Sequence, residues 1–208
     1  MKISYAVTVC NELLEIERLL PFLVSNKRAE DEVVVLFDST NGSKSVEDYL
    51  RSQSVVRAGF RWHAYAFDGH FANMKNHLTG LCKGDYVYQI DADEMIEGYV
   101  MELLPQVLEA NDVEVLRVPR INTVEGLTKE HIQKWSWQVN ELGWVNFPDY
   151  QWRIYKNNAG ITWINKVHEV LTGYRTMAAL PMEREWCLLH HKDIKRQEKQ
   201  NAFYQELI

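Results

Sequence analysis

No apolar run in this sequence approaches the ~20 residues that a bilayer-spanning helix needs. That argues against a protein that crosses a membrane on helices. Cysteine is scarce. Cys10, Cys82 and Cys187 are an odd number without metal-type spacing, which fits a reducing compartment and a cytoplasmic location. No secretory leader is legible: Met1-Lys2 runs straight into the strand-like Ile3–Val9. No Pro/Gly-rich linker, low-complexity tract or internal repeat divides the 208 residues, so one domain is expected over 1–208. Excess positive charge is also missing. The net charge of −6 argues against a footprint along duplex nucleic acid. After the first strand, Thr8-Val9-Cys10-Asn11-Glu12 contains no glycine. A phosphate-cradling loop is therefore absent there, and a nucleotidyltransferase becomes the weaker alternative.

What is present is an ordinary globular balance of 46% hydrophobic and 25% charged residues. Ile3–Val9 reads as a buried strand. Leu13, Ile16, Leu19, Leu20 and Leu23 recur at helical spacing over 12–24. The β-rich run 31–38 ends in the turn Ser39-Thr40-Asn41-Gly42-Ser43. A short helix is expected over 45–51, a third strand at 55–56 or 62–66, a helix over 70–81 and a strand over 86–90. This alternation predicts an α/β fold with a mostly parallel central sheet and flanking helices. Residues 1–98 form the first, ligand-holding half of the expected domain. Residues 99–208 form an aromatic-rich second half, with a helix over 100–110, a strand over 113–118 and a charged helical tail over 192–208.

In parallel sheets ligands gather beyond the carboxyl ends of the strands. Here those ends carry Asn11-Glu12, Asp38-Ser39 and Asp91-Ala92-Asp93. Alternation along a strand would aim Asp91 and Asp93 to one side. Two carboxylates so placed call for a cation or proton between them. Mn²⁺ or Mg²⁺, completed by phosphate oxygens, is the expected cation.

Taken in order, Asn11-Glu12, Phe37-Asp38-Ser39-Thr40-Asn41-Gly42-Ser43, Lys75-Asn76, Gly84-Asp85 and Ile90-Asp91-Ala92-Asp93-Glu94 resemble the family 2 glycosyltransferases of GT-A fold. Phe147-Pro148-Asp149, Arg153-Ile154-Tyr155, Val167-His168-Glu169 and Leu189-His190-His191 are similar to the branch that includes lipopolysaccharide-core transferases. The resemblance implies metal-dependent, inverting transfer from a nucleotide-diphosphate sugar, a UDP-sugar first, to an acceptor hydroxyl. It implies that Asn11 and Glu12 line the nucleotide pocket and that Asp38 binds the base. Lys75 and Asn76 would lie near the diphosphate. Asp91 would reach the ribose or a metal-bound water, and Asp93 would bind the metal. One of His190 and His191 would be its last ligand. Asn41 and Lys75 depart from the family's more common aspartate and arginine.

Either Glu169 or Asp149 is the candidate base for the acceptor proton, with Glu169 favoured. The acceptor would be a saccharide or lipid-linked saccharide, with a protein or nucleic-acid base as lesser alternatives. It would approach across the aromatic segment 135–163. Lys192, Lys195, Arg196 and Lys199 would attract an anionic acceptor or a membrane surface. A non-catalytic sugar-nucleotide-binding module is the remaining alternative.

Overall fold

Near-continuous β-branched runs, such as Val33-Val34-Val35-Leu36, make strands that are buried on both faces, as parallel strands between helical layers are. The computed structural model describes residues 1–207; Ile208, the end of the expected tail, lies outside the described residues. The chain runs β1 (Ile3–Val9), α1 (Leu13–Asn26), β2 (Glu32–Asp38), α2 (Lys44–Val56), β3 (Phe60–Tyr65), α3 (Phe71–Leu81) and β4 (Tyr86–Asp91). It continues through β5 (Glu94–Met95), α4 (Gly98–Ala110), β6 (Val115–Glu125), α5 (Lys129–Lys134) and β7 (Val145–Lys156). It ends with β8 (Thr162–Ile164), β9 (Val170–Thr172), β10 (Met177–Ala179), β11 (Leu188–Asp193) and α6 (Ile194–Leu207).

One sheet passes through both halves in the order β3-β2-β1-β4-β7-β6-β11-β5, with β10 also on β6. β1, β2, β3 and β4 pair in parallel. The register Thr8↔Asp91 and Val9↔Phe37 brings three carboxyl ends to one edge. β7 joins antiparallel to both β4 and β6, while β10 and β11 join β6 in parallel, so the aromatic-rich half is mixed around one long antiparallel pair. Ile16, Leu19, Leu20 and Leu23 of α1 and Val100 and Leu104 of α4 fill the core on one face. On the other face α3 and the separate β8–β9 hairpin enclose Ala6, Leu36, Val87, Tyr155 and Trp163.

Three local expectations change. The expected short helix at 45–51 extends to Val56, so Val55–Val56 ends α2 and is solvent-exposed. The third strand is therefore the alternative at 62–66, shifted to Phe60–Tyr65. Lys192 and Asp193 complete β11 before the terminal helix begins. Gly42 permits the β2–α2 turn: a Cβ there would lie 2.1 Å from the Asp38 carbonyl oxygen and 2.3 Å from the Phe37 ring. Ser43 Oγ then caps α2 by accepting from the Val46 amide at 3.4 Å.

Far from that edge, Glu32 ties β2 to its neighbours. It accepts from Ser4 Oγ at 2.5 Å, from Arg61 and from the Lys83 amide. Burial opposes its ionisation, yet Arg61, Ser4 and Lys83 outweigh burial and pull its pKa from 4.5 down to about 2. A carboxyl lowered on folding adds stability above its unfolded pKa, and that stability is lost as pH falls through the folded value. Glu32→Gln should therefore cost about 1–3 kcal/mol at neutral pH. The deficit should shrink as pH drops from 4.5 to about 2, as read by urea unfolding over a pH series.

Candidate active site

β4 stops at Asp91, and the chain turns through Ala92 and Asp93 before the short β5. The expected alternation therefore does not continue to Asp93, and the two carboxylates meet different partners. Asp91 Oδ1 accepts from Thr8 Oγ1 at 2.9 Å, on the paired strand. Its Oδ2 accepts from Arg153 Nη2 at 2.7 Å. Burial works against the Asp91 charge, but Arg153 and then Lys75 hold its pKa below the usual carboxylate range.

Arg153 owes its aim to a bulge. Leu116 pairs with Ile154 and Arg117 with Trp152, which leaves Arg153 as the extra residue on β7. The same Nη2 also donates to Glu94 Oε1 at 2.6 Å. Glu94 is fully buried, accepts from the Asp91 amide at 3.1 Å, and takes Arg120 Nη1 at 3.0 Å. Arg120 and Asp149 are register partners, and Arg120 donates to Asp149 Oδ2 at 2.7 and 3.0 Å.

Asn122 extends this network to His190. Its Nδ2 donates to Asp149 Oδ2 at 2.8 Å, so its Oδ1 is the atom 2.7 Å from His190 Nδ1. An amide oxygen only accepts, so Nδ1 carries the proton. Burial lowers the pKa of His190 and favours the neutral ring. Its bare Nε2 then faces Asp93 Oδ2 at 3.3 Å. Two lone pairs at that distance call for a cation between or beside them. Lys192 Nζ lies 3.5 Å and Arg196 Nη2 3.4 Å from the same oxygen. Burial disfavours the Asp93 carboxylate as well, yet His190 when its ring is protonated, then Lys192 and Arg196, keep its pKa low.

The other expected residues separate by what already holds them. Glu12 does not cap α1 with its side chain. Its Oε2 turns back to the amides of Cys10 and Asn11 at 2.8 and 3.0 Å, and Arg196 Nη2 lies 3.3 Å from its Oε1. Burial raises its pKa. Asn11 is exposed at the rim. Asp38 accepts from Thr40 N, Asn41 N and Asn41 Nδ2 at 2.8–3.0 Å, which organises its own turn. Lys75 Nζ meets Glu169 Oε1 at 2.9 Å and lies 4.8 Å from the Trp163 ring centre. Asn76 is occupied by the Trp163 backbone, donating to its carbonyl at 2.9 Å and accepting from its amide at 2.8 Å.

Three expectations are corrected. Strand alternation sends His190 inward and His191 outward, to Thr123 Oγ1 at 2.9 Å, so His191 is removed from the metal-ligand candidates. Asp149 accepts four hydrogen bonds, from Arg120, Asn122 and Gln151. Burial opposes its ionisation, but Arg120 and these donors lower its pKa, which disfavours it as a base. Two of the four cations in the basic tail are engaged internally: Lys192 with Gln200 and Asp93, Arg196 with Glu12, Glu15 and Asp93. Lys195 and Lys199 remain exposed. Glu94, Arg120 and Asn122 had no expected role. A lone charge inside Trp152-Arg153-Ile154-Tyr155 was the available signal for Arg153.

Seven carboxylates (Glu12, Glu15, Asp91, Asp93, Glu94, Asp149, Glu169) meet five permanent cations (Lys75, Arg120, Arg153, Lys192, Arg196). The excess is two negative charges. No three His, Cys, Asp or Glu side chains converge as a ready metal cluster among the described residues. Arg153 is the centre of the buried part. Arg153→Met leaves Asp91 and Glu94 without their shared partner and should destabilise by about 3–5 kcal/mol, as measured by urea unfolding. A loss below about 1 kcal/mol, the worth of an exposed pair, would refute this account.

No family model matches the sequence, and no curated protein matches it. Solved structures share its fold at low identity. S. aureus TarS 1–349 superposes with a TM-score of 0.64 at 14% identity, over 100% of this chain and 64% of that one. The complex of TarS 1–349 with UDP-GlcNAc gives 0.65 at 15%, over 92% of this chain and 59% of that one. The complex with UDP gives 0.64 at 15%, over 92% and 60%. The chain thus spans less than two thirds of the TarS fragment. The curled mixed sheet with flanking helices is a GT-A-like α/β fold.

Proposed function

We propose that this chain is a glycosyltransferase that moves a sugar from a UDP-sugar to an acceptor hydroxyl. The observation that carries the reading is the His190–Asp93 pair, with Asp91 at the end of β4 beside it, at the carboxyl edge of β1 and β4, on a fold shared with a protein seen bound to UDP-GlcNAc and to UDP.

A divalent ion suits this edge. Asp91 and Asp93 place carboxylates at the strand end, and His190 turns a bare nitrogen toward Asp93. Asp93 and His190 would hold Mn²⁺ or Mg²⁺, with diphosphate oxygens and water as further ligands. Such an ion, when bound, supplies Lewis-acid stabilisation of the leaving diphosphate. The chain's own residues do the rest. Asn122 fixes the His190 tautomer. Arg153 keeps Asp91 ionised at the strand end.

Glu169 is the proposed base. Its carboxylate is held by Lys75 beside the Trp163 ring. The acceptor oxygen forms a bond to the anomeric carbon while its proton passes to Glu169. The bond from that carbon to the diphosphate breaks, and the electron pair leaves with the diphosphate. Attack opposite the leaving group inverts the anomeric centre, through a transition state with oxocarbenium character.

Titration calorimetry with UDP should show binding that weakens when EDTA removes Mn²⁺, and Asp93→Asn or His190→Ala should abolish that difference. Equal UDP affinity with and without EDTA in the unaltered protein would remove the metal from the account. Glu169→Gln should retain UDP affinity and lose roughly 10²–10⁴-fold in transfer rate. Asp149→Asn showing that pattern, with Glu169→Gln active, would reverse the assignment.

A further inference from the structure

A hollow of about 180 Å³ opens between α5 and α6, lined by Lys134, Trp135, Glu198, Asn201 and Ala202. It lies across α6 from the proposed donor site. Arg196 and Gln200, one helical turn apart, reach Asp93 and Lys192 on one side of the helix, while Glu198, Asn201 and Ala202 line the hollow. Pockets that bury a drug-sized ligand occupy roughly 300–1,000 Å³. This one has room for a single ring, not for a nucleotide.

Its walls are held in place. The Thr128 amide donates to His131 Nδ1 at 3.3 Å, so Nε2 carries the proton and faces Glu198 Oε1 at 3.6 Å. The His131 ring stacks on Trp135 at 5.2 Å and 17°, and Trp137 abuts Trp135 at 4.7 Å. Gln197 donates to Asn201 Oδ1 at 2.9 Å, which turns the Asn201 Nδ2 donors away from Gln197. Lys134 Nζ stands 5.9 Å from the Trp135 ring centre.

This composition selects its ligand. One cation and one carboxylate together favour a neutral guest over an anion or a cation. An indole face accepts the C–H face of a ring, and carboxylate, amide and ammonium exchange hydrogen bonds with hydroxyls. We infer that this hollow is a saccharide-binding subsite that takes one pyranose ring against the part of Trp135 that lines it. As a saccharide site it stands apart from the transferase reading; its use for a ring of the acceptor, remote from the bond being made, rests on that reading.

Saturation-transfer NMR on the full chain tests it, with the methyl β-glycosides of glucose, galactose and N-acetylglucosamine as probes and UDP binding measured on the same samples. At least one glycoside should receive saturation at its ring C–H protons. The signal should vanish in Trp135→Ala, survive in Trp135→Phe and weaken in Asn201→Ala, while UDP binding stays unchanged in all three. Thermal melting confirms that each variant is folded; if Trp135→Ala unfolds, the Asn201→Ala and Trp135→Phe pair decides. No transfer to any glycoside, or equal transfer in Trp135→Ala, overturns the subsite and leaves the donor reading intact. Transfer that depends on Trp135 without any UDP binding supports the subsite and sinks the donor reading.

Discussion

One nitrogen, Nη2 of Arg153, bridges Asp91 and Glu94, and the candidate site is built outward from it. A buried carboxylate, Glu94, and a half-buried one, Asp91, three residues apart repel, and the buried one is not stable there without a counter-charge. The guanidinium supplies that charge from a strand that arrives late in the sequence. The parallel half can therefore end in acidic residues only because the antiparallel half is docked against it. The β7 bulge is the backbone cost of the arrangement, since a regular strand would not present Arg153 as an extra residue at this point.

From that bridge the charges alternate along two paths. One runs Glu94–Arg120–Asp149–Asn122–His190 and ends on Asp93. The other runs from Asp93 through Arg196 to Glu12 and Glu15 beside β1. The first and last helices, α1 and α6, are thus joined by Arg196, which also meets the carboxylate proposed to hold a metal. A ligand that draws Arg196 away from Asp93 would alter both the edge of β1 and the seating of α6. In a low-dielectric network such linked bonds act together more than pairwise losses would indicate.

Much of the architecture was legible because period carries it. The apolar spacing in α1 and the β-branched runs of β1, β2 and β4 each admit one regular structure, and the strand-to-helix alternation implies parallel pairing. The tandem His190-His191 was half legible, since alternation says that one points inward but not which. The antiparallel half was opaque. Its strands are polar and aromatic by turns, and their register depends on bulges that no local pattern marks. Arg153 and Glu94 were hidden for a related reason: a charge inside an apolar run, or the last of three carboxylates in a turn, reads as an exposed position until its partner, 59 residues away, is known. Asn76 was visible as a polar residue near the expected diphosphate, but its engagement with Trp163 is a tertiary fact. α2 outruns its expected end at Arg51 because Val55–Val56, strand-like in sequence, lies exposed at a helix end.

The amide of Asn76 pairs with both the N–H and the carbonyl of Trp163, as a neighbouring strand would. Helix α3 therefore offers a surrogate strand edge to the β8–β9 hairpin. Two further fastenings run along the same helix, the Phe71 amide to the Lys166 carbonyl at 3.0 Å and Lys75 to Glu169. Three attachments spaced along one rigid rod remove the hairpin's freedom to swing independently. Mechanically, Glu169 belongs to the helix and not to the loop that bears it, so a movement of this loop has to carry α3 with it.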